Sequence, residues 1–111
     1  MGFYVQVEYR TSQGRIDLVL QTKKYVYIME FKLNGSADEA LAQIREKGYA
    51  EPFAKDGRTI YKIGVNFSDE IRNIQEVKVE WKSGGRIANN IFIEVLVDFF
   101  KIFFIRRIGV L

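Results

Sequence analysis

Nine residues, Tyr25-Val26-Tyr27-Ile28-Met29-Glu30-Phe31-Lys32-Leu33, constrain this chain more than any other stretch. Aromatic and β-branched side chains dominate them and neither Gly nor Pro interrupts, which predicts a central strand buried on both faces. Side chains alternate along a strand, so Glu30 and Lys32 fall on the face of Val26 and Ile28. Burying a carboxylate and an ammonium costs several kcal/mol unless they are paired, hydrogen-bonded or bound to a metal. The strand therefore calls for a partner near its C-terminal end.

Its surroundings read as a small mixed sheet. Phe3 to Arg10 alternates, Thr11-Ser12-Gln13-Gly14 makes a turn, and Arg15 to Gln21 is a second strand carrying Asp17 beside Ile16 and Leu18. After a short polar connection the Tyr25 strand completes an antiparallel meander. Asn34-Gly35 ends it, and Ser36-Ala37-Asp38-Glu39 has the form of a capping box. The helix so opened runs to about Gly48, with Ala37, Ala40, Leu41 and Ile44 as its apolar stripe. Pro52 discourages continuation, and Ile60 to Phe67 is a fourth strand, which a helical crossover makes parallel to the third. Val77, Val79 and Trp81 alternate with charges, as on a half-exposed edge strand.

A polar break at 82–86 leads into an apolar stretch, 91–105, whose charges Glu94, Asp98 and Lys101 share one helical face. An apolar C-terminal helix packing on the sheet or on a second subunit is the leading expectation. Membrane-surface association and a strand-rich tail are the alternatives, and a spanning segment is not expected. The division anticipated is a domain over 1–82 and a break plus tail over 83–111. A helix apolar over most of its circumference predicts a homodimer through that tail.

Composition removes whole classes of chemistry. The 111 residues include no Cys and no His, so thiolate or imidazole zinc sites, Ser-His and Cys-His nucleophile pairs, and histidine-dependent nucleases are excluded. Net charge is +3, but residues 1–82 carry only +1 of it, too little to establish a polyanionic partner by itself. The N-terminal residues have no signal-peptide pattern, and a cytoplasmic protein is expected. What remains is carboxylate and lysine chemistry. Across an antiparallel hairpin Asp17 comes near Glu30 and Lys32, and two converging carboxylates repel unless a proton or cation intervenes. A hard divalent ion, most naturally Mg²⁺ (or Mn²⁺), resolves this and keeps waters for phosphoester hydrolysis, with Lys32 orienting or deprotonating the nucleophile.

Gly14-Arg15-Ile16-Asp17 followed by Glu30-Phe31-Lys32, within the run from Gly14 to Phe53 and on through Ile60 to Ser68, resembles the PD-(D/E)xK nuclease superfamily. More narrowly it resembles a bacterial branch often fused to an AAA-type ATPase-like domain, with the likeness covering about residues 3–82. The resemblance implies a restriction-endonuclease-like α/β core acting on nucleic acid, DNA above all, with an ATPase-like domain as a further partner. It also implies that Asp17, Glu30 and the backbone carbonyl of Phe31 bind the metal. Lys32 would act on the attacking water or the scissile phosphate, Gln43 would face the site from the helix, and Glu8 would be a further acid. Tyr49 reads as core or rim packing rather than a catalytic acid, and Arg15 either reaches a phosphate or is a surface residue beside the turn. The superfamily's usual helix before the first strand is not matched here. The alternative function is a catalytically inactive nuclease-fold module for nucleic-acid binding or protein assembly.

Overall fold

The computed structural model describes residues 3–11 and 14–81. The expected C-terminal helix, and the homodimer contact assigned to it, lie outside the described residues. Strands β1 (Phe3–Thr11), β2 (Gly14–Thr22) and β3 (Tyr25–Leu33) precede helix α1 (Ala37–Glu46), a 3-10 helix (Glu51–Asp56), β4 (Thr59–Ser68) and β5 (Asn73–Trp81). Among the described residues, five strands lie side by side in chain order. β1, β2 and β3 form the expected antiparallel meander. β4 runs parallel to β3 from Tyr25↔Thr59 to Leu33↔Phe67, and β5 pairs antiparallel with the other side of β4. The 3-10 helix was not anticipated: Pro52 sits in its first turn, where a missing N–H costs nothing, and Phe53 is buried beneath it. Among the described residues no helix is long and apolar enough to cross a membrane.

Strand alternation sorts the core into two layers. On the α1 side, Val26 and Ile28 pack with Leu41, Ile44, Tyr49 and Phe53. On the opposite face, Leu18, Leu20, Tyr27, Met29, Phe31, Tyr61, Ile63, Val65 and Phe67 form the second buried cluster. Charged and polar positions of the sheet therefore concentrate under α1. There Lys78 pairs with Asp38 at 2.9 Å and Arg45 with Glu80 at 2.6 Å.

Helix α1 is fixed at both ends. Ser36 accepts a hydrogen bond from the Glu39 amide at 3.0 Å, and Ala37, Ala40, Leu41 and Ile44 are all buried, as the stripe predicts. Buried Asn66 of β4 accepts from the Gly35 amide at 2.8 Å, while Glu76 of β5 accepts from the Ala37 amide at 3.1 Å. At the far end Gly48 takes φ +62. Its amide donates to the Arg45 carbonyl at 3.1 Å and the Tyr49 amide to the Ile44 carbonyl at 3.1 Å, a Schellman closure that turns Tyr49 back into the core. Between the two ends α1 lies very close to β4. A Cβ on Gly64 would stand 2.4 Å from the Ala37 carbonyl oxygen, so only glycine permits this approach.

Candidate active site

The site forms where β2 and β3 stop pairing. Their ladder runs from Gln21↔Val26 to Leu18↔Met29 and goes no further. Beyond it side chains replace backbone carbonyls as acceptors. The Asp17 amide donates to Glu30 Oε1 at 3.2 Å, and the Phe31 amide donates to Asp17 Oδ2 at 2.9 Å. Each carboxylate thus accepts from a backbone N–H of the other strand, which satisfies buried backbone groups and draws the two acids together. Both are almost fully enclosed, Asp17 at 6% and Glu30 at 4% exposure.

β1 and β2 change face at the same level. Leu18 and Leu20 belong to the apolar face and Ile16 to the α1 side. The β1–β2 register skips Glu8, opposite Asp17, and resumes at Tyr9↔Ile16. Glu8 holds φ +57, a left-handed conformation that a side chain adopts only under constraint. The backbone thus departs from regular strand geometry beside the paired acids.

Burial pushes the Glu30 carboxyl up to about 8; the negative charge of Asp17 and a side-chain hydrogen bond to it add to that rise, while the Asp17 amide and Lys32 oppose it. Gln43, reaching across from α1, ties the group together. Its Nε2 donates to Glu30 Oε2 at 2.5 Å, and its Oε1 accepts from Lys32 Nζ at 2.5 Å. Tyr49, 2% exposed, has its hydroxyl 3.4 Å from Gln43 Nε2 and donates to the Arg15 carbonyl at 3.2 Å. A Cβ on Gly14 would stand 3.0 Å from that hydroxyl, so the Gly14 backbone and the tyrosine share one space.

Asp17, Glu30, Lys32 and Gln43 therefore form one hydrogen-bonded group. Phe31 joins it through its amide. Glu8 pairs with Arg15 at 3.3 Å, with both side chains about half exposed. Among the described residues no three of Asp, Glu, His and Cys gather closely enough to hold an ion. The donor set still suits a hard divalent cation: two carboxylate oxygen donors crowd into an enclosed space where burial opposes the ionisation of one of them. Sequence reasoning left two participants without a role in the site. Asn66, a single amide in the apolar run Ile63-Gly64-Val65-Asn66-Phe67, was the visible signal for the anchor of the loop into α1. For the Tyr49 hydroxyl, nothing local to the sequence gave its partners.

An uncharacterised protein encoded in the vnfD 5′ region of Azotobacter chroococcum mcd 1 is 38% identical over 82 residues, covering 72% of this chain. The match is 16% of that relative's own length, so the chain spans a small part of it. A sequence model of the PD-(D/E)XK nuclease superfamily matches residues 1–77, which take in both acids, the lysine, the glutamine and all of α1. With the acids converging at the splayed end of β2 and β3, and the lysine two residues beyond the second acid, sequence and geometry agree: the chain belongs to the PD-(D/E)XK nuclease superfamily.

Proposed function

We propose that this protein is a metal-dependent nuclease that hydrolyses phosphodiester bonds, with DNA as its substrate. The observation that carries the reading is the reciprocal capping of Asp17 and Glu30, with Lys32 held beside Glu30 through Gln43. Asp17, Glu30 and the Phe31 carbonyl would hold Mg²⁺ or Mn²⁺. When bound, such an ion supplies Lewis acidity and a water of lowered pKa. The chain's own contribution is positional and electrostatic. Two enclosed carboxylates prefer a cation to each other, and an ammonium on a fixed stem donates to a phosphate oxygen or orients the attacking water. Gln43 keeps that ammonium at a set distance from Glu30.

The proposed setting is cytoplasmic. A homodimer through residues 91–105 is the proposed assembly, on the apolar character of that stretch. An ATPase-like domain is proposed as a further partner. The test is cleavage of supercoiled plasmid and single-stranded DNA by the full chain with Mg²⁺, Mn²⁺ or EDTA. Nicking that requires the divalent ion and disappears in both Asp17→Asn and Lys32→Ala is expected. Nicking that survives either substitution overturns the assignment, and its absence under all metal conditions favours the binding-module alternative.

A further inference from the structure

The hydrogen bonds around Gln43 fix their own polarity from a single starting point. Arg15 offers a backbone carbonyl, which can only accept, so the Tyr49 hydroxyl spends its one proton there, at 3.2 Å. The tyrosine oxygen is then limited to accepting, and the group beside it, at 3.4 Å, is the Gln43 amide nitrogen. That places the amide's carbonyl on the other side, where Lys32 Nζ, which can only donate, needs an acceptor. The same orientation aims the amide nitrogen at Glu30 Oε2. A flipped amide would set its NH₂ against the ammonium and its oxygen against both Glu30 and the tyrosine oxygen.

The placement of Tyr49 is equally determined. The Schellman closure at Gly48 directs the residue inward, its ring packs in the α1-side core, and Gly14 leaves space for the hydroxyl. Packing alone would be met by a phenylalanine. The hydroxyl has a second consequence, because it spans from the start of β2, two residues before Asp17, to the helix residue that bridges Glu30 and Lys32.

We propose that Tyr49 is a positioning residue: its hydroxyl, anchored on the Arg15 carbonyl, holds the Gln43 side-chain amide in the orientation that donates to Glu30 and accepts from Lys32. The inference rests on the nuclease reading for its effect on rate, but not for the orientation itself. It makes Gln43 and Tyr49 one unit, whose two members should not act additively.

The experiment uses the full chain and the Tyr49→Phe, Gln43→Ala and double variants, with two independent readouts. In ¹⁵N-resolved spectra, Tyr49→Phe is expected to move the Gln43 side-chain amide resonances and speed their hydrogen exchange at least threefold, with the thermal midpoint within about 2 °C of wild type. In DNA cleavage, Tyr49→Phe is expected to lower kcat about fivefold at unchanged KM, yet to change kcat less than 1.5-fold when Gln43 is already alanine. Unmoved Gln43 resonances overturn the proposal, as does an equal loss with and without Gln43. A tyrosine that matters only for packing would instead lower the thermal midpoint and leave the amide exchange unchanged. If the wild-type chain does not cleave DNA, the nuclease reading fails while the resonances still decide the orientation.

Discussion

Replacing Gly64 with alanine tests the link between packing and site most directly. The new methyl would lie 2.4 Å from the Ala37 carbonyl oxygen and 3.1 Å from both Ala40 Cβ and Leu41 Cγ. Ordinary contact needs about 3.4 Å or more, so α1 must lift from β4 by roughly 1 Å at its first turns. It cannot do so freely. The Asn66–Gly35 and Glu76–Ala37 hydrogen bonds, at 2.8 and 3.1 Å, fasten the same turn to the sheet. Overpacking of this kind costs about 1–3 kcal/mol, and one strained hydrogen bond adds about 1 kcal/mol. The stiffer unfolded chain returns about 0.4–1 kcal/mol, leaving a net loss of roughly 2–3 kcal/mol. Urea denaturation would register this as a midpoint lowered by about 1–1.5 M, for a slope of about 2 kcal/mol per M. Because Gly64 is the register partner of Glu30, the same lift draws Gln43 away from the carboxylate, so DNA cleavage should fall with stability. Gly57→Ala is the control, since a Cβ there meets nothing within 4 Å and only its φ of +79 opposes the change. A Gly64→Ala stability within about 0.5 kcal/mol of wild type would refute the close approach as the reason for this glycine.

Glu30 gives a pH prediction for the metal-free protein. Its folded-state value of about 8 lies above the ordinary 4.5, so between those limits the native state keeps a proton that the unfolded chain has released. The group's contribution is therefore most favourable below pH 4.5 and declines as pH rises towards 8, by on the order of 3 kcal/mol at pH 7. Urea titrations at pH 5 and 7 should show wild type losing stability relative to Glu30→Gln; a constant difference would contradict the assignment, and Mn²⁺ should recover part of the loss at pH 7. Asn66→Ala removes the acceptor for the Gly35 amide and the donor to Gln75, and should cost about 2 kcal/mol in the same assay; an unchanged midpoint would show the loop to be held otherwise. Ser36→Ala removes the α1 cap and should cost about 1 kcal/mol, with Ser36→Asp recovering it.

The amino-acid sequence by itself marked the described strands and α1, though not the 3-10 helix, and named the candidate site groups. Alternation marked the meander and the edge strand, Ser36 and Gly48 marked the ends of α1, and its stripe named the four residues that are buried. These are local signals, since a periodicity or a cap acts within a few residues of itself. Asp17, Glu30 and Lys32 were legible for a related reason: charges in otherwise apolar strands need a partner, and a hairpin limits where that partner can be. What only the tertiary structure decided depends on chain segments that are distant in sequence. The ladder between β2 and β3 ends so that each acid caps the opposite strand's amide, a result of how the two strands diverge. Glu8 pairs with Arg15 because β1 and β2 change face there. The glycine that admits α1 against β4, the amide of Asn66 and the hydroxyl of Tyr49 all acquire their meaning from partners far along the chain. Their residue types were visible in the sequence, but the distances that give them work to do exist only once the helix has docked on the sheet.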